Sequence, residues 1–160
     1  MANPSDTAIR DHANVRILPP LIYVAGFVVG LLIEIEFPIL LLPVTARRVA
    51  AILCIAVSAI LIVWSIRLFR RAGTSFIPIK PTMALVWSGP YQFTRNPMYL
   101  AMACLYLGLA LWFGLFWPLI LLPGVLAGVQ YGVIAREEQY LERKFGDDYR
   151  RYKARVRRWL

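Results

Sequence analysis

Two small groups of polar side chains interrupt an otherwise apolar chain, and they are the residues best equipped for chemistry. The first is the stretch 88–99, with Tyr91, Arg95, Asn96, Pro97, Met98 and Tyr99; the second is the adjacent acid pair Glu137 and Glu138. A guanidinium can hold an anion, and a carboxylate can hold a cation or take a proton. The stretch 88–99 makes a poor strand or helix interior but a good ordered loop that opens into a helix. Gly89 and Pro90 mark a turn, and Pro97 suits the first position of a helix, where its missing N–H leaves no bond unmade. Asn96 is then expected to be the N-cap, so that the loop delivers Arg95, Asn96 and Tyr99 to the mouth of that helix.

The elements that must position these residues are hydrophobic helices. The 160 residues suffice for one domain and are 59% hydrophobic, with a mean hydropathy of +0.60, which reads as integral membrane rather than soluble. The start Met1-Ala2-Asn3-Pro4 lacks a basic region followed by a short apolar run, so no signal peptide is expected. Residues 17–36 would reach roughly 30 Å as a helix and can cross a bilayer once. Glu34 and Glu36 mark its exit, and Glu34 has two readings: an intramembrane functional carboxylate, or an interfacial one near Arg47 and Arg48. A second span is expected over 49–69, ending in Arg67, Arg70 and Arg71. Residues 72–96, with Gly73, Pro78, Lys80, Pro81, Gly89 and Pro90, form a long ordered loop. Residues 97–135 carry no charge and would be about 58 Å long as one helix, so two slightly short spans are expected, with the break at 114–118.

Charge sets the orientation. Of the 18 Lys and Arg residues, two precede the first span, five lie between 67 and 95, and nine follow Ala135, whereas the opposite side holds only Arg47 and Arg48. The positive-inside rule therefore places both termini and the loop in the cytoplasm. Beyond Ala135, Leu141, Phe145, Tyr149, Tyr152, Val156 and Trp159 share one helical face opposite Arg143, Lys144, Arg150, Arg151 and Lys153, with Gly146 separating two pieces. Such a helix would lie on anionic lipid, which accounts for most of the +9 charge without nucleic acid. The isolated His12 and the apolar settings of Cys54 and Cys104 argue against a metal site or a disulfide framework. The expected fold is all-α: an integral membrane bundle of about four transmembrane helices with a basic amphipathic C-terminal helix. It is read as a single domain over 1–160, with two N-terminal spans to residue 71 and a functional core from 72 onward.

The pattern Gly89-Pro90-Tyr91-x3-Arg95-Asn96-Pro97-x-Tyr99, followed by Glu137-Glu138-x2-Leu141-x3-Phe145-Gly146-x2-Tyr149-x2-Tyr152-x3-Val156, resembles the isoprenylcysteine carboxyl methyltransferases and the related phospholipid methyltransferases. The likeness covers about residues 72–156; the first two spans match only in being hydrophobic. It implies an S-adenosylmethionine-dependent methyltransferase with a cytoplasm-facing cofactor pocket. By position, Met83, Ala84, Leu85, Val86, Tyr91, Asn96, Pro97, Met98 and Tyr99 would line that pocket, and Glu137 would contact the cofactor from the other side. Glu138 is the candidate base or orienting group, with Arg95 as its anion-holding partner. The acceptor would be a small amphiphile (an isoprenylcysteine-like carboxylate, a thiol or a lipid amine), and the other partner is membrane lipid.

Two positions depart from the likeness. Members that methylate prenylcysteine carry His where this chain has Asn96, and Asn cannot titrate near neutral pH. They also place an arginine four residues before the first glutamate, where this chain has Val133; a carboxylate acceptor is thereby put in question. The alternatives to an enzyme are a membrane scaffold that kept the fold without the chemistry and a small transporter-like protein, although the lack of charge in the later spans speaks against an ion path.

Overall fold

Proline and glycine punctuate the apolar runs, and helix bounds follow them. A computed structural model describes residues 17–40, 43–74 and 83–160. Helix α1 spans Pro19–Glu36 with proline in its first turn, α2 Val44–Arg71, α3 Pro97–Phe113 and α4 Phe116–Val129. A π-helical turn, Gln130–Ile134, carries α4 without a break into α5, Ala135–Arg155. Among the described residues there is no strand, only an isolated parallel bridge between Thr94 and Arg157. The tail 1–16, with His12, and the loop residues Pro78, Lys80 and Pro81 lie outside the described residues.

Helices α1 and α2 and the helix running from Phe116 are long and apolar enough to cross a membrane, and α3 is a shorter apolar helix of 17 residues. The break between α3 and α4 falls where the sequence suggests. Gly114 closes α3 with φ 74°, a conformation that side chains with a Cβ rarely adopt, and the chain reverses there. Charge-free sequence ends at Ala135, so the apolar part of the last helix is α4 with the π turn and its charged part is α5.

Packing pairs α1 with α4 and α2 with α3, while α3 and α4 form the central hairpin. Small residues permit the close approach: a Cβ on Gly30 would meet Pro118 at 2.8 Å, and one on Gly108 would meet Ile55 at 2.7 Å. Tyr23, Tyr99, Tyr106, Val125, Val129 and Val133 fill the space between α1, α3 and α4.

At one end of the bundle, side chains cap neighbouring helices. Glu34 Oε2 accepts the N–H groups of Phe116 (2.7 Å) and Trp117 (3.0 Å), and its Oε1 accepts that of Ile39. Arg47 donates to the carbonyls of Leu111 (3.1 Å) and Trp112 (2.8 Å), while Arg48 lies over the Trp112 ring. Helix α2 thus starts at Val44 instead of 49, because both arginines find partners on α3 while remaining helical. Glu34 caps its neighbour: its partners are the first N–H groups of α4 and that of Ile39, not the arginines expected in one of its two readings. The other end holds Asn96 at the start of α3 and Glu137 just beyond the π turn.

Glu34→Ala strips the first turn of α4 of its acceptor and is expected to cost about 1–2 kcal/mol, seen as a lower thermal midpoint in detergent. Glu34→Gln, which keeps one acceptor oxygen, should lose less. Equal midpoints for wild type and Glu34→Ala would refute the capping role.

Candidate functional site

The two polar groups picked out in the sequence meet at one point. Tyr99 sits on the third residue of α3, facing inward, and its hydroxyl donates to Glu137 Oε1 at 2.7 Å. The Tyr99 carbonyl accepts the hydroxyl of Tyr23 from α1 at 2.9 Å, so three helices converge on this residue. Burial and the neighbouring Glu138 push the Glu137 carboxyl up to about 7, although the Tyr99 hydroxyl pulls it down. A carboxylate poised near neutral pH responds strongly to a cation placed beside it.

Glu138, on the next residue, has a different environment. Arg95 Nη2 lies 3.3 Å from its Oε1, and Arg158 donates from Nε to Oε1 (3.0 Å) and from Nη2 to Oε2 (2.6 Å). Two of the about four acceptor positions of this carboxylate are therefore taken by Arg158 hydrogen bonds, and Arg95 adds an ion pair. Of the two sequence-based roles, base or orienting group, this geometry favours the orienting one. The Arg95 side chain is 9% exposed, and its Nε and Nη1 are buried without a hydrogen-bond partner. Two unused donors on a buried guanidinium suit a further anion.

Asn96 stands at the cap position of α3 but does not cap it. Its φ of −129° and ψ of 51° turn the side chain away, and Nδ2 donates instead to the Arg158 carbonyl at 2.8 Å. The expected side-chain cap is thus corrected: the bond from Nδ2 to a distant carbonyl holds the side chain in an orientation from which Oδ1 does not accept the local N–H groups. No side chain caps the first turn, where Met98 and Tyr99 carry N–H groups at the positive end of the helix.

The other candidates divide. Tyr91 is buried in a 3₁₀ turn, Gly89–Gln92, edge-on to Phe69 at 5.6 Å, and its carbonyl accepts the Tyr152 hydroxyl at 2.7 Å. Pro97 is fully buried and Met98 half-buried beside it. Met83 is 71% exposed and tied by its N–H to Thr74 at the end of α2, while Ala84, Leu85 and Val86 are half-buried; the described hydrogen bonds do not join these four to Tyr99 or Glu137. Val133, at the position of the resembled arginine, is 1% exposed and part of the core, so no cation stands there.

Sequence reasoning overlooked Arg158, Thr94 and Tyr23. Arg158 lies 20 residues beyond Glu138, past the Gly146 kink, where no helical spacing links the two. The available signal was charge alone: a buried acid pair needs cations, and nine of them follow Ala135.

A family model described as phospholipid methyltransferase matches residues 46–148. The match begins in α2, earlier than the stretch on which the sequence likeness rests. An uncharacterized protein of Haemophilus influenzae is 48% identical over 65 residues, which make up 39% of this chain and all of that protein. No solved structure matches the chain.

Tyr99→Phe removes the donor that pulls Glu137 down, so its titration should move above about 7. Infrared spectroscopy of the protonated carboxyl band across a pH series reads this directly; a downward or absent shift contradicts the bond.

Proposed function

The chain belongs to the phospholipid methyltransferase family, and we propose that it is a membrane-embedded, S-adenosylmethionine-dependent methyltransferase acting on a small amphiphilic acceptor. The observation that carries the reading is the Tyr99–Glu137 hydrogen bond, which brings the two halves of the motif pattern to one end of the central hairpin. Beside it stand a buried arginine with two unused donors and an uncapped helix start. These fit the two charges of the cofactor's amino-acid end: a carboxylate for the Met98 and Tyr99 N–H groups and Arg95, an ammonium or ribose hydroxyls for Glu137. Tyr91, Asn96, Pro97 and Met98, with Met83–Val86 from the loop, would supply the walls.

When bound, S-adenosylmethionine supplies an electrophilic methyl group on a sulfonium whose departure leaves a neutral thioether. The protein's task is then to orient the acceptor in line and exclude water. Glu138 acts here by fixing Arg95, and Glu137 by holding positive charge. An acceptor arriving as an ammonium or thiol has a proton to lose, which the Glu137 carboxylate, raised to about 7, is able to take, whereas a carboxylate acceptor would need a cation, and Val133 provides none. A thiol or lipid amine reaching the site from the bilayer is therefore favoured over an isoprenylcysteine-like carboxylate. The bias of basic residues in the sequence supports a site, and both termini, facing the cytoplasm.

Calorimetric titration of the protein in detergent with S-adenosylmethionine tests the reading, and saturable binding is expected. Glu137→Ala and Tyr99→Ala should abolish or strongly weaken it. Binding that requires ionised Glu137 grows stronger as pH rises and levels off above about 7, losing up to about tenfold per pH unit well below that value. Glu137→Gln should flatten the profile. Folded protein without saturable binding would leave the non-catalytic scaffold instead.

A further inference from the structure

Past Arg155 the chain leaves the helix at Val156 and runs extended beside the loop that precedes α3. The Arg157 carbonyl accepts the Arg95 N–H at 2.9 Å. The Arg158 carbonyl accepts both the Thr94 hydroxyl (3.1 Å) and the Asn96 amide (2.8 Å), while the Arg158 guanidinium grips Glu138 at the start of α5. Trp159 Nε1 donates to Gln130 Oε1 in the π turn at 2.9 Å, and its ring packs on the core. Three consecutive residues thus bind the α3 approach, the first turn of α5 and the π turn to one another.

Resting on the methyltransferase reading, we propose that residues 156–160 form a latch over the cofactor site and that Arg158 is its positioning residue, setting Glu138, Arg95 and Asn96 at once. Asn96 is the pivot. Latched, its Nδ2 donates to the Arg158 carbonyl and so holds the side chain turned away, keeping Oδ1 off the first turn of α3 and leaving that turn free for a ligand anion. Unlatched, the same side chain reverts to the ordinary role of Asn before a helix and bonds the α3 N–H groups itself, competing with the ligand. Release of Arg158 also frees Glu138, and Arg95 with it, from the geometry that aims the unused guanidinium donors.

Hydrogen exchange of the full-length protein in detergent, followed by mass spectrometry without ligand, reads the latch independently of the cofactor. Arg158→Ala should speed exchange of the Arg95 amide and weaken S-adenosylmethionine binding, each by about tenfold or more. Arg158→Lys, which keeps the charge but not the forked contact, should recover part of both. Thr94→Val removes one bond to the Arg158 carbonyl without touching Glu138 and should speed exchange to a smaller degree, a check that stands if Arg158→Ala folds poorly. Exchange at Arg95 unmoved by either variant overturns the latch, and so does faster exchange with unchanged affinity. Wild-type protein that binds no S-adenosylmethionine overturns the methyltransferase reading, which the ligand-free exchange comparison keeps separate.

Discussion

Helix ends at a membrane boundary must find hydrogen-bond partners within the protein, and this requirement organises both ends of the bundle. At one end side chains from neighbouring helices meet part of the requirement: Glu34 accepts two N–H groups of α4, and Arg47 serves the last carbonyls of α3. Those caps also tie α1 to α4 and α2 to α3, the two packings from which the bundle is built. At the other end α3 begins with proline and an asparagine whose side chain is used elsewhere. The first end is tied together by these caps; at the second, the start of α3 keeps donors in reserve.

Adjacent carboxylates illustrate how neighbours divide labour. Glu138 is held by two guanidiniums, and Glu137 faces one phenol hydroxyl in a buried setting that lifts its carboxyl to about 7. A helix turns about 100° per residue, so consecutive side chains on α5 point toward different partners even though their chemistry is the same. One acid therefore organises the arginines while the other remains responsive to added charge.

The π turn at Gln130–Ile134 matters for the same reason. It adds a residue to one turn between the span and the acid pair, so positions counted back from Glu137 at α-helical spacing do not keep their expected face. Gln130 meets Trp159 from this turn, and Val133 is packed into the core beside Tyr99 and Tyr140. Spacing along an assumed α-helix could not have shown where these side chains point.

Much of the architecture was legible without coordinates. Hydrophobic length, proline and glycine punctuation and the distribution of arginine lead to the four apolar helices, the reversal at Gly114 and the kink at Gly146, because these depend on local backbone limits and on the thickness of hydrocarbon. The polar groups that meet were legible too, as the only such clusters flanking a charge-free hairpin. What tertiary structure decided is the pairing: Tyr99 with Glu137, Glu34 with the start of α4, Asn96 with a carbonyl 62 residues away, and Arg158 with Glu138. Each of these partners lies far away along the chain. Sequence spacing describes near partners only, and the packing of the helices determines which distant group each side chain meets.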